Sequence, residues 1–315
     1  KFMKYLFYSF LLVFISCTSP KSNKPVIGFI DQLQDETLEK AKTGFFDALK
    51  QNGFDSSSIE VIYRNAQNDQ PTMLQSLDYI ISKNPTLIAT NPTLPTISAV
   101  QKTKTIPIFM MVSPRPDLAK LTDAAGKSPA NLFGTYETLD YLDTALLLIK
   151  NVLPNAKKVG TIYNQSEPQS VDALARIEKT CSDAGLVLIK MPVNNSSETQ
   201  LVVASLLSEN IDAFFALPDN TVFSSMEIIV KSCDDKNVPV FTSEEGLVSR
   251  GAVAAFGADM YQWGFQSGTQ AASFLKSKST SGLAPEIVTV RRRVYNQMKA
   301  EQFGLAFDST FTSVK

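Results

Sequence analysis

From Val26 onward, short runs rich in β-branched and apolar residues alternate with longer stretches whose apolar residues return every three or four positions, and this alternation happens twice over. A strand followed by a helix followed by another strand builds a parallel sheet with helices on its faces, so the pattern predicts an α/β fold. The first series of strand candidates is VIGFI (26–30), IEVIYRNA (59–66), TLIAT (86–90) and PIFMMV (107–112). Between the first two, Leu38, Ala41, Phe45, Ala48 and Leu49 form one apolar helix stripe, which Asn52-Gly53 brings to a stop; Leu74, Leu77, Ile80 and Ile81 form the next stripe.

A second series runs through KVGTIYN (158–164), LVLIKMPV, DAFFALPD, VPVFTS and GAVAAFGAD. The stretch LTDAAGKSPANLFGTYE (121–137) breaks the alternation and marks the first crossing between units. One more helix, YQWGFQSGTQAASFLKSKS, and a late strand, IVTVRRRVY, follow the second series. Those extra elements imply that the chain crosses back. The expectation is two doubly wound parallel-sheet lobes joined by a multi-strand hinge, with 26–132 plus 260–281 in the N-terminal lobe and 133–259 plus 282–315 in the C-terminal lobe.

Composition removes several kinds of chemistry. With 30 Lys plus Arg against 31 Asp plus Glu, no extended basic field exists for nucleic acid. Histidine is absent, which excludes Ser-His-Asp and Cys-His catalysis and histidine-based metal sites. Neither GxGxxG nor GxxxxGK[ST] occurs, so the glycine loops that cradle phosphates are missing. No metal or cofactor is expected. An enzyme using paired carboxylates such as Asp219 and Glu245 stays conceivable, but no nucleophile accompanies them.

The N-terminus reads KFMKYLFYSFLLVFISC: two lysines, an apolar run from Tyr5 to Ile15, then Ser16 and Cys17, followed at once by polar residues. The run is shorter than the roughly 20 residues a membrane span needs, and it reads as an export signal. It resembles a bacterial lipoprotein signal, covering 1–16, in which Cys17 is lipidated and 17–25 forms a linker; Phe14 departs from the usual Leu three places before the cysteine. Cleaved secretion and a retained helix are the alternatives. Cys181 and Cys233 each fall inside a helical pattern, where two half-buried residues on helix ends are expected and a disulfide has no support from spacing.

The segments VIGFIDQLQDETLEKAKTGFFDALKQNGF, RNAQNDQ, PNAKKVGTIYN, PDNTV and FGADMYQWG resemble the tryptophan- and tyrosine-type substrate-binding proteins of ABC importers, which have the type I periplasmic binding protein fold. The similarity runs from about Val26 to Gly304. It implies a membrane-anchored receptor outside the cytoplasm that closes two lobes around a small solute, an aromatic or other amino acid first, and hands it to an ABC permease and its ATPase. A sensor on the same fold and a nucleoside-like solute are the alternatives. One departure is Ser113-Pro114-Arg115-Pro116, where the family commonly has an acidic residue and proline; Arg115 would favour an additional negative group on the ligand.

In a doubly wound sheet, solutes bind beyond the carboxyl ends of strands. Those ends carry Asp31-Gln32, Thr90-Asn91-Pro92-Thr93 and Ser113 in the first lobe, and Asn164 to Glu167, Asp219-Asn220 and Glu244-Glu245 in the second. The candidates are therefore Gln32, Thr90, Asn91, Thr93, Ser113, Asn164, Glu167, Asp219, Asn220 and Glu245. The Thr90 turn is expected to hold a carboxylate and Asp219 an ammonium group, although Asp-Asn-Thr is also an ordinary capping sequence. Glu137 at the first crossing and Asp259 and Tyr261 at the second are expected on the cleft floor, with a tyrosine stacking on a flat ligand. Trp263, Gly264 and Gly268 are assigned to helix packing, and Arg291-Arg292-Arg293 to a solvated edge from which one arginine reaches a lobe-lobe ion pair.

Overall fold

The computed structural model describes residues 24–314. The export signal and Cys17 lie outside the described residues. The chain opens with β1 (Val26–Asp31), α1 (Glu36–Gln51), β2 (Glu60–Asn65), α2 (Gln70–Ser82), β3 (Leu87–Asn91), α3 (Thr93–Lys102), β4 (Ile108–Pro114) and β5 (Leu132–Glu137). It then runs through α4 (Tyr141–Val152), β6 (Lys158–Tyr163), α5 (Pro168–Asp183), β7 (Val187–Pro192), α6 (Thr199–Leu207), β8 (Ala213–Ala216), α7 (Asn220–Ser224), α8 (Met226–Asp234), β9 (Val240–Thr242), α9 (Glu245–Ser249) and β10 (Ala254–Ala258). The last part is α10 (Met260–Ser277), β11 (Glu286–Ile287), β12 (Arg291–Asn296), α11 (Gln297–Phe303) and β13 (Thr312–Val314).

Two sheets result, in the orders β11-β5-β4-β3-β1-β2 and β13-β12-β10-β9-β8-β6-β7. Five strands of each follow the same doubly wound order, and the pairs are parallel except β10 with β12. Each lobe thus has a switch point, between β1 and β3 in one and β6 and β8 in the other, where crevices open beyond the strand ends.

Three crossings join the lobes: 137–141, 258–260 and 287–291. Two boundaries expected from sequence move accordingly. Residues 133–137 belong to the first sheet, because β5 pairs with β4 and buries Leu132 and Phe133, while the Gly134 N–H donates to Gln270 Oε1 of α10. The late run 287–295, expected as one strand, is split between sheets: Ile287 pairs with Tyr136, whereas Arg291 pairs with Ala258.

The first lobe is held by α1 packed against α10. All five residues of the expected α1 stripe are buried, and Asp35 caps the helix by accepting from the Thr37 and Leu38 N–H groups at 2.8 and 3.2 Å. Glycines set the separation of the two helices. A Cβ on Gly264 would lie 1.8 Å from the Ala41 carbonyl oxygen, and one on Gly44 2.0 Å from that of Tyr261. Tyr261 is consequently turned onto α1, its hydroxyl donating to Asp47 at 3.1 Å and its ring stacked on Phe265, instead of lining a cleft floor. Cys181 and Cys233 are buried free thiols, both pushed up to about 12 by burial.

Candidate functional site

One cavity sits between the lobes at both switch points. Its wall carries Pro92, Thr93, Val112, Ser113, Pro114 and Glu137 from the first lobe, Leu139 and Tyr141 after the first crossing, Gln169, Pro218, Asn220, Phe223 and Glu244 from the second lobe, and Met260 and Trp263 after the second crossing. Its cavity volume is about 30 Å³, so it is a narrow slot. The lobes are closed over it. Asn220 Nδ2 donates to Gln32 Oε1 at 3.4 Å across the gap, and a single apolar cluster runs from Phe29 and Leu38 through Trp263 and Met260 to Phe223 and Leu247.

Local structure explains which side chains arrive there. Strand β4 shifts register between Met110 and Ser113, and Val112 takes φ +50°, a left-handed backbone that a β-branched residue adopts only under strain. Leu139, with φ +66°, does the same at the first crossing. Both bring bulky apolar groups to the slot. Helix α3 starts at Pro92 with no side-chain cap, so its first turn presents N–H groups that no capping side chain takes. Thr93 Oγ1 and Ser113 Oγ, both buried, find no hydrogen-bond partner among the described residues.

The acidic groups divide into a neutralised one and an unpaired one. Both oxygens of buried Glu137 lie 2.7 Å from Nη2 of Arg291, which starts β12, so this pair ties the end of one sheet to the start of a strand in the other. Arg292 pairs similarly with Asp259, the cap of α10, at 2.7 Å. Two of the three consecutive arginines thus brace the hinge, where a solvated edge with one ion pair was expected. Glu244 is fully buried, and its Oε1 accepts from the Tyr141 hydroxyl at 3.1 Å and the Ser243 hydroxyl at 3.2 Å. Its Oε2 has no partner among the described residues. Burial pushes Glu244 up to about 8; the Tyr141 and Ser243 donors oppose this, and the charge of Glu137 adds to it.

Thr93, Ser113, Glu137 and Asn220 therefore share one cavity, with Gln32 touching Asn220 from across the gap. The other candidates stand elsewhere. Thr90 is turned away into α3, its hydroxyl 2.8 Å from that of Thr96. Asn91 donates to Asp31 and to the Leu38 carbonyl, tying β3 to β1 and α1. Asp219, expected to hold an ammonium group, is consumed inside its own lobe. Its Oδ1 caps α7 by accepting from the Thr221 and Val222 N–H groups, and its Oδ2 accepts from the Asn164 N–H at 2.7 Å and the Ser170 hydroxyl at 2.5 Å.

Asn164 is fastened to Thr221 and to the Asn194 carbonyl behind the cavity. Glu167 accepts from the Asn220 N–H and side-chain amide and from Gln169, and so positions two cavity residues from behind. Burial and then the charge of Asp219 raise Glu167 to about 8. Glu245 points out toward Arg292, and its neighbour Glu244 takes the inner place. Arg115 is bound to Asp117 at 2.6 and 2.9 Å on the exposed side and does not line the cavity.

Sequence reasoning left Tyr141, Gln169, Phe223 and Met260 out of the wall, named Glu244 at a strand end but chose its neighbour Glu245, and read Trp263 as packing alone. Trp263 does both: its indole N–H donates to the Thr135 carbonyl at 2.9 Å while its ring forms part of the wall. The available signal was position, since the only tryptophan stands in the first turn of the helix that follows a crossing.

Comparison with known proteins gives a consistent set of relatives. The family model described as ABC transporter substrate binding protein matches residues 26–312. A tyrosine-binding protein of Clostridioides difficile (strain R20291) is 33% identical over 258 residues, 82% of this chain and 74% of that protein. A crystal structure of a conserved domain protein from Vibrio cholerae superposes with a TM-score of 0.86 at 27% identity, covering 93% of this chain and all of the other. The complex of an ABC domain with L-Trp from Streptococcus pneumoniae superposes at 0.83 with 21% identity, covering 91% and 96%.

Proposed function

The chain belongs to the ABC transporter substrate-binding proteins, which bind small solutes and are not enzymes, and on that premise we propose that it captures an amino acid with an aromatic side chain and delivers it to an ABC permease and its ATPase. The observation that carries the amino-acid reading is the unpaired, buried Oε2 of Glu244 on the cavity wall. A buried acceptor of that kind calls for a cationic donor, and the α-ammonium group of an amino acid supplies one. Thr93, Ser113 and the uncapped first turn of α3 offer donors for a carboxylate. Trp263, Phe223, Met260 and Val112 supply apolar walls that suit an aromatic ring once the slot widens to admit it. The tyrosine-binding relative and the L-Trp complex lend this ligand class further support.

Mechanistically, groups from both lobes face the ligand, so the closed form gains contacts that the open form lacks, and binding shifts the population toward closure. The three hinge crossings permit that rotation, and Glu137–Arg291 at the cavity floor keeps its partners together. The test is thermal unfolding of the soluble chain from about Pro20 with L-tryptophan, L-tyrosine, L-phenylalanine, indole-3-propionate, myo-inositol and adenosine. A ligand at a hundred times its Kd adds about 2.7 kcal/mol. An aromatic amino acid is expected to raise Tm by several degrees while indole-3-propionate, which lacks the ammonium group, does not. Stabilisation by inositol or adenosine alone would overturn the reading.

The same proposal places the protein outside the cytoplasm, held to the membrane by lipid on Cys17. Expression in a bacterial host with a labelled fatty acid is expected to label the wild-type chain and leave Cys17→Ala unlabelled. Equal labelling of the two sinks the anchor.

A further inference from the structure

We propose that Arg250 is a closure latch: a positioning residue that touches no solute but binds the first lobe only when the cleft is shut, and so sets how long any ligand is retained. Arg250 ends α9 in the second lobe. Its Nη1 lies 2.6 Å from Oδ2 of Asp35, the residue that caps α1 in the first lobe. The remaining contacts belong to its own lobe: Nε and Nη2 hold Glu227 at 2.8 and 3.0 Å, and Nη2 donates to the Phe223 carbonyl at 2.7 Å. Phe223 is a wall of the cavity, so one guanidinium grips both the cavity wall and the opposite lobe.

The geometry makes the Asp35 contact conditional. The Asp35 side chain is 2% exposed and that of Arg250 10%, so the pair is shielded from water and salt while the lobes are closed. Close approach of the α9 backbone to a side chain of α1 keeps it so: a Cβ on Gly246 of α9 would lie 2.7 Å from the Thr37 side chain at the start of α1. When the lobes separate, Asp35 keeps its capping bonds and Arg250 keeps Glu227 and Phe223, and the charge-assisted bond between Arg250 and Asp35 is lost. A contact present in one state only shifts the equilibrium toward that state whatever the ligand is. It slows dissociation, because the cleft must open before the solute leaves.

The proposal rests on the closure described above, but not on the identity of the ligand. The variants are Arg250→Gln, Asp35→Asn, which keeps a good capping residue, and the double substitution. Two readouts are used: the radius of gyration of the unliganded protein by solution scattering, and the dissociation rates and Kd values of L-tryptophan and L-tyrosine. Each single variant is expected to expand the unliganded protein and raise both Kd values by about tenfold, mainly through faster dissociation, with their ratio unchanged. The double variant is expected to be no worse than either single one. Additive losses, a changed ligand ratio, or wild-type scattering and dissociation in a folded Asp35→Asn protein would each overturn the latch. If neither amino acid binds the wild type, the ligand assignment fails, and scattering alone decides the latch.

Discussion

Glu244→Gln is expected to weaken binding of the aromatic amino acid by at least about 30-fold, the equivalent of about 2 kcal/mol, while leaving the unliganded protein as stable or more stable at pH 8. The two effects have one origin. Glu244 is fully buried, with Tyr141 and Ser243 donating to Oε1 and, among the described residues, nothing donating to Oε2. Glutamine reproduces the shape and the acceptor at Oε1 but turns an amide N–H₂ toward the cavity, where an ammonium group meets a donor in place of an acceptor. A loss of affinity caused by misfolding would come with reduced stability, so calorimetric titration and thermal unfolding of the same variant separate the explanations. Asp219→Ala is the contrasting control. It removes the α7 cap and leaves the Asn164 N–H without its acceptor, so it is expected to cost about 1–3 kcal/mol of stability through these bonds and not through a ligand contact.

The pH dependence follows with its sign. The folded, unliganded protein holds Glu244 near 8 against an ordinary value of 4.5, so between those values the folded state binds a proton that the unfolded state has released. Stability is then lost as pH rises through this window, at up to about 1.4 kcal/mol per unit for one group, and Glu167, raised to about 8, acts in the same direction. A ligand ammonium group reverses the preference at Glu244 by favouring the carboxylate. Affinity is accordingly expected to improve toward pH 8 and to flatten above it, with about one proton released per ligand bound at pH 6–7. Glu137 and Tyr141 face Glu244; Arg291 holds Glu137, so Glu244 is left to report on the ligand. Titration in buffers of different ionisation enthalpy measures the proton count, and a count of zero at pH 6.5 would mean that Glu244 does not meet the ammonium group as a carboxylate.

What could be read from the sequence depended on whether one residue or its neighbour settles the question. The α1 stripe was legible because Leu38, Ala41, Phe45, Ala48 and Leu49 agree on one face. Strand ends were legible too, since switch points follow from the βαβ order. Direction at those ends was not. Glu244 and Glu245 differ by one position, and the inner place goes to the residue just before α9, a matter of local backbone that composition leaves open. Tyr261 and Trp263 stand two positions apart on α10 and so face opposite sides; the contact with α1 takes one and the cavity receives the other. The run from Ile287 to Tyr295 looked continuous because its β-branched residues continue while its partner strand changes from β5 to β12's neighbour β10. Asp219 was misread because a cap and an ammonium site ask for the same residue type, and the difference lies in two further donors, the Asn164 N–H and the Ser170 hydroxyl, drawn from about fifty positions away.

The largest stability effect is expected at Gly264, where the sequence did carry the message. Gly264 and Gly268 stand one helical turn apart on α10, and Gly44 stands opposite on α1. A methyl group on Gly264 would come within 1.8 Å of the Ala41 carbonyl oxygen, and one on Gly268 within 2.4 Å of the Phe45 carbonyl oxygen. Backbone atoms obstruct both, so no rotamer change relieves the clash, and the helices must move apart. Separation would uncover Phe45 and the neighbouring core, and would loosen the first turn of α10 that carries Met260 and Trp263 into the cavity. Gly264→Ala is therefore expected to destabilise the protein by more than about 3 kcal/mol and to lower ligand affinity even where it folds. Alanine is the better helix former by about 1 kcal/mol, so local propensity predicts the opposite sign. Denaturant unfolding of Gly264→Ala decides between them, with Gly185→Ala as a comparison outside this interface: Gly185 has φ +68° and open space around it, so its cost is backbone strain alone. A Gly264→Ala protein as stable as the wild type would mean that α1 and α10 are not in backbone contact, and the first lobe would have to be rebuilt around a wider helix pair.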